Sequence, residues 1–81
     1  MQIVWDEPKR LANLVKHGLD FRDLTLEFFE NASFEDGKLG RRIAVGWLDG
    51  AGITVIHVKY GLEAISVISM RPMSARERRQ F

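Results

Sequence analysis

At 81 residues the chain makes one small domain, and its hydrophobic share of 46% and charged share of 28% belong to a globular protein and exclude a disordered tail. No cysteine is present, which excludes a disulfide framework and a thiolate metal site. The net charge is only +1, yet residues 69–81, SMRPMSARERRQF, hold four arginines against one glutamate, so the tail carries +3 and the rest −2.

A chain of this length buries roughly 60% of its unfolded surface, so its core is thin and open to completion by a partner. No apolar run approaches the roughly 18 residues that span a bilayer, and MQIVWDEPKR lacks the basic-then-apolar order of a signal peptide. The expected setting is the cytoplasm, with no membrane partner.

Residues 2–5, QIVW, read as a short strand. Asp6 then caps a helix that has Glu7 and Pro8 in its first turn and Lys16 and His17 in its last, with Gly18 as the left-handed stop. Leu11, Leu14 and Val15 give this helix an apolar stripe. DFRDLTLEFFEN predicts a second helix with Asp20 as N-cap and Phe21, Leu24 and Phe28 on its inner side. Six carboxylates against one arginine make residues 20–36 acidic, either as a solvated face or as a surface for a basic partner.

From residue 41 the period becomes two. Residues 41–48, 53–60 and 64–71 predict three strands joined by Asp49-Gly-Ala-Gly52 and Gly61-Leu-Glu63, an antiparallel meander. Pro72 ends the last strand, and Ser74-Ala-Arg-Glu77 has the spacing of a capping box that opens a short C-terminal helix. The order is α+β: strand, helix, helix, three-stranded meander, helix. Leu14, Phe21, Leu24 and Phe28 are expected to pack on Ile43, Val45 and Trp47 or on their alternates, with the other sheet face partly open.

Two kinds of residue carry candidate chemistry. His57 and Lys59 share one strand face, about 6.6 Å apart along the strand, with Tyr60 pointing the other way. Simple register puts these residues near the start of the last strand and Arg71 at its opposite end. His57 is the histidine placed for proton transfer, whereas His17 reads as a helix C-terminal cation. Two histidines without a ligand-spaced acidic or cysteine partner imply no metal site. The basic residues Lys38, Arg41, Arg42, Lys59, Arg71, Arg76, Arg78 and Arg79, interleaved with Trp47 and Tyr60, suit phosphate pairing and base stacking on single-stranded RNA.

WDEPKRLANLVKHGLDF at 5–21 resembles the opening signature of the BrnT family: W-D-x-x-K, then A-N-x-x-K-H-G, then an aromatic. IAVG at 43–46 and ISMRPMSARERRQF at 68–81 are similar to its later blocks, so the resemblance spans nearly the whole of residues 1–81 as a single toxin domain. It implies a compact RelE-like fold and a ribonuclease toxin of a bacterial type II toxin–antitoxin system. It also implies a ribbon-helix-helix antitoxin like BrnA, with operator DNA reached only through that antitoxin.

Metal-independent RNA cleavage is the expectation that follows, with no cofactor. Arg71 would clamp phosphate and Arg41 or Arg42 would supply a second cation. Lys59 would stand near the leaving oxygen and Tyr60 would stack or relay a proton, with His57 as a further candidate. Lys38, Arg76, Arg78 and Arg79 would bind RNA. As a strand-end surface residue Arg71 is expected to add little to folding. A homodimer and a toxin–antitoxin heterotetramer are both compatible with the sequence.

Four positions depart from the resemblance. Val58-Lys59-Tyr60 stands where the family commonly has Thr-Glu-Arg, and Ser66 stands where an arginine is common. The loop before Arg41 is shorter. These departures leave a second expectation open: a homologue of weak or no activity that serves as an antitoxin-binding module in operon repression.

Overall fold

A computed structural model of residues 1–81 shows how the local signals combine. β1 (Gln2–Trp5) leads into α1 (Glu7–His17), α2 (Leu26–Asn31), β2 (Ser33–Asp36), β3 (Arg42–Leu48), β4 (Ala51–Tyr60), β5 (Ala64–Pro72) and α3 (Ala75–Gln80). The five strands form one sheet in the order β1-β5-β4-β3-β2. β2 to β5 form an antiparallel meander, and β1 adds to the far edge parallel to β5.

The expected meander is therefore present but extended by β2. Its four residues, SFED, are all exposed. A strand with neither face buried has no apolar alternation, so the sequence showed only an acidic exit from a helix. The expected second helix also divides. Phe21–Asp23 is a 3₁₀ turn, with the Asp20 carboxylate accepting from Arg22 N at 2.9 Å. α2 then starts afresh, its N-cap Thr25 accepting from Phe28 N at 3.1 Å. Thr25 is β-branched and extended, and its hydroxyl offers the backbone a fresh start that a continuous helix lacks. The hairpin turn shortens to Asp49-Gly50, both at positive φ (50° and 82°), as a two-residue turn matched to strand twist requires.

Phe21, Leu24, Phe28 and Phe29 are buried against Ala44, Ile53, Val55, Val67 and Met70. The sheet thus offers the alternates of β3 to the helices. Gly46 marks the closest approach, since a Cβ there would lie 3.1 Å from the Phe28 ring and 3.4 Å from the Ala32 methyl. Trp47, one residue on, is exposed.

α1 departs further from expectation. Its buried residues are Arg10 and Asn13, while Leu11, Leu14 and Val15 face solvent. The Arg10 guanidinium pairs with Glu7 and reaches both oxygens of Asp20 at 3.2 and 3.1 Å. Asn13 Oδ1 accepts from Met70 N at 3.0 Å and its Nδ2 donates to Leu19 O at 3.1 Å. β1 ends opposite Val67, so the β5 backbone beyond it lacks a strand partner, and Asn13 supplies one. Helix periodicity counts apolar side chains and overlooks this kind of polar anchoring. Much of WDEPKRLAN is thus architecture: Trp5 Nε1 donates to Glu7 at 3.2 Å and its ring stands edge-on to Phe21 at 6.3 Å.

Candidate functional site

Register decides which of the charged side chains meet. Arg42 pairs with His57 across β3 and β4, two residues from the Ala44–Val55 pair that faces the core. Side chains alternate along a strand, so Arg42, His57 and Lys59 fall on the face the helices cover. The helical layer stops short of this end of the sheet. A cleft of about 500 Å³ opens there, lined by Met1, Phe34, Arg42, His57, Lys59 and Leu62 among others.

The β4–β5 register slips between Ile56 and His57, so that Ile68 has no partner. A bulge re-aims side chains and is over-represented beside functional sites. His57 is 4% exposed, held edge-on by Phe29 at 5.3 Å and Phe34 at 5.9 Å between ring centroids. Burial, and then the Arg42 charge, outweigh the contact to the Val55 carbonyl and lower its pKa below 6.5. The imidazole is therefore neutral near pH 7. Its Nδ1 lies 3.5 Å from Val55 O, a long contact that favours the proton on Nδ1 and a lone pair on Nε2.

Arg42 is loosely held. Its Nη1 is 3.7 Å from an oxygen of Asp36, which is 89% exposed, and its Cζ stands 5.6 Å above the Phe34 ring. Both distances are near the outer limit of an interaction, which leaves the guanidinium free to turn to another anion at little cost.

Arg71 is in a different place and a different state. It lies opposite Thr54, toward the other end of β5, with its Nη1 2.8 Å and its Nη2 3.2 Å from the two oxygens of Glu77. Glu77 also accepts from the Thr54 hydroxyl and from Ser74 N, each at 2.8 Å, and its own N–H reaches Ser74 Oγ at 3.1 Å. The bonds from Arg71 are the largest cause that holds the Glu77 carboxyl at about 2. The capping box read from the sequence is thus also the dock that fixes α3 on the sheet face opposite the cleft. An arginine in that position contributes to folding, contrary to the expectation of a dispensable surface residue.

Of the residues singled out in the sequence, the cleft brings together Arg42, His57 and Lys59. Arg41 is exposed just before β3 and does not line it, and Lys38 lies on the neighbouring 3₁₀ turn. Tyr60 is exposed and alternates to the opposite face from Lys59. Arg76, Arg78 and Arg79 are exposed on α3. No three histidine or acidic side chains gather as metal ligands would, and no helix is long and apolar enough to cross a membrane.

The comparisons with known proteins agree with this architecture. A family profile for the ribonuclease toxin BrnT of type II toxin–antitoxin systems matches residues 5–77. The chain belongs to the BrnT family. The 1.1 Å crystal structure of the Brucella abortus ribonuclease toxin BrnT is 52% identical, with a TM-score of 0.87 over 91% of this chain and 97% of that one. No curated protein matches. The α+β fold expected from the order of elements is the fold of that BrnT structure.

Phe34 is the cleft residue that sequence reasoning missed. Its signal was slight: a single aromatic between Ser33 and Glu35 in an acidic stretch. Only pairing with Ala44 puts it beside Arg42 and His57.

Proposed function

We propose that this BrnT-family chain is a metal-independent ribonuclease toxin that cuts RNA in the cleft of Arg42, His57 and Lys59. The observation that carries the proposal is the meeting of two cations with a buried, neutral imidazole in one open cleft. His57 Nε2 takes the proton of a ribose 2′-hydroxyl, and the 2′-oxygen forms a bond to the adjacent phosphorus. The phosphorus–O5′ bond breaks and the Lys59 ammonium supplies the proton to the departing oxygen. The products are a 2′,3′-cyclic phosphate and a 5′-hydroxyl end. Arg42 faces the non-bridging oxygens, where charge grows in the transition state and fixed donors act most strongly. Lys38, Arg41 and the three exposed arginines of α3 extend the positive surface along which the strand lies. Tyr60 and Arg71 stand away from the three-residue cluster, so they act outside the bond-breaking step.

The partner is an antitoxin like BrnA, with operator DNA bound through that partner in a complex such as a heterotetramer. A toxin of this kind acts in the cytoplasm, where its RNA substrate is. Induction of the gene alone in a bacterial host should arrest growth, and the purified protein should cut total RNA in the presence of a chelator. The rate should fall in acid solution as His57 takes up a proton, with a midpoint below the ordinary imidazole value because burial lowers its pKa. Excess antitoxin should abolish cleavage and raise the melting temperature, since binding to the native state stabilises it by mass action.

The replacements at Lys59, Tyr60 and Ser66 favour one other reading, an inactive homologue retained to bind antitoxin and co-repress. A protein that binds its antitoxin but neither arrests growth nor cuts RNA establishes that reading instead.

A further inference from the structure

Phe34 stands outside the buried core cluster, with 43% of its surface exposed. The strand that carries it, β2, buries none of its residues. An aromatic ring on such a strand, beside two cations and a buried imidazole, calls for another explanation than the core. One face has the Arg42 guanidinium 5.6 Å away, and one edge meets His57 at 75°. Across the cleft stand Leu62, which is exposed, and Met1. The volume of about 500 Å³ lies within the range of small-molecule sites, and a single nucleotide is a ligand of that size.

We propose that Phe34 is the stacking platform for one unpaired base beside the cleaved phosphate, so that the cleft takes single-stranded RNA and refuses duplex. Arg42 is the element that makes room. Held only by Asp36 at 3.7 Å and by the ring, it turns outward to a phosphate oxygen and leaves a ring face to the base. Every base has a π-face, so this contact selects for being unpaired and tolerates any sequence. In a duplex the faces are already stacked and the ring has nothing to receive. The occupant is RNA because two cations, Arg42 and Lys59, line the cleft and no carboxylate does, and the ion pair of Arg42 with Asp36 is loose at 3.7 Å. The inference rests on the reading of the cleft as the RNA site.

The test uses a short labelled 2′-O-methyl RNA, which binds but cannot be cut, as a single strand and annealed to its complement. Dissociation constants are measured for the wild type, Phe34→Leu, Phe34→Tyr and Arg42→Ala. Wild type should bind the single strand and leave the duplex unbound. Phe34→Leu keeps an apolar cover over His57 but has no π-face, and should weaken single-strand binding by about 5- to 100-fold. Phe34→Tyr should bind like wild type. If Phe34→Leu binds as tightly as wild type while Arg42→Ala binds weakly, the ring is only a cover for His57 and the inference is wrong, though the cleft remains the RNA site. If neither variant weakens binding, the cleft is not the RNA site and the inference goes with it.

Discussion

The two ends of the sheet each present an arginine on a strand, and the contrast between them separates structure from reactivity. At the α3 end, Arg71 is closed: a carboxylate meets it with both oxygens, and that carboxylate is itself satisfied by Thr54 and Ser74. At the cleft end, Arg42 is open, with one exposed carboxylate at 3.7 Å and a ring face at 5.6 Å. A guanidinium clamped to a carboxylate by two charge-assisted hydrogen bonds holds an element in place, and turning it to a substrate means leaving Glu77 with fewer donors. A guanidinium with slack partners has little to lose. Charge alone, which is what a sequence displays, does not distinguish the two.

The largest effect should come from the open end. Arg42→Ala removes a donor aimed at the phosphate, and loss of one such donor typically lowers the rate by about 10²–10³. Because that side chain is exposed and loosely paired, the melting temperature should stay close to wild type. Arg42→Lys retains charge without the fork and should recover part of the rate. A large drop in melting temperature would show that Arg42, too, is structural.

Arg71→Ala should give the reverse pattern. Its two bonds to Glu77 are charge-assisted, and losing bonds of that kind costs about 1.5–3 kcal/mol. In a domain of this size each kcal/mol lowers the melting temperature by roughly 4–8 °C. Cleavage measured well below the melting temperature should change little. A rate loss as great as that of Arg42→Ala, with an unchanged melting temperature, would return the phosphate role to Arg71.

Protonation weakens the same dock without mutation. The Glu77 carboxyl is depressed from 4.5 to about 2 in the folded chain. Between those values the unfolded state binds the proton and the folded state does not, so stability present above pH 4.5 is lost as pH falls toward 2. With allowance for solvent screening the contribution is about 1–2 kcal/mol. Glu77→Gln should therefore be less stable than wild type at pH 7, and the gap should close as pH falls through this window. A gap that stays constant with pH would mean the Glu77 charge does not hold α3.

How far these two ends were legible beforehand depends on which interactions are local. The Ser74–Glu77 capping box and the Gly18 stop are complete within a few residues, and both stand as read. The separation of Arg71 from Lys59 also followed from strand counting, since Lys59 pairs with Ile65 and Arg71 with Thr54. That Glu77 serves Arg71 as well as Ser74 depends on where α3 folds back, which no local pattern records. The bulge at His57 and the placing of Phe34 depend on register, and an exposed edge strand such as β2 has no hydrophobic period to set it. Arg10 and Asn13 were overlooked because their burial is polar and their partners, Asp20 and Met70, come from other elements.

Asp36 offers the smallest and most selective test of the contrast. It is the carboxylate nearest Arg42, but at 3.7 Å and 89% exposure its ion pair belongs to the class worth little. Asp36→Ala should change stability by less than about 0.5 kcal/mol. It should nevertheless tighten RNA binding severalfold, because it removes both a tether on Arg42 and a negative charge beside an incoming phosphate. That gain should shrink as salt is raised, since charges so exposed are screened within a Debye length of about 10 Å at 0.1 M. The double variant Asp36→Ala with Arg42→Ala isolates the cause. If the gain persists without Arg42, it comes from general repulsion. If it vanishes, Asp36 acts by holding Arg42, as an arginine poised between a protein carboxylate and an RNA phosphate requires.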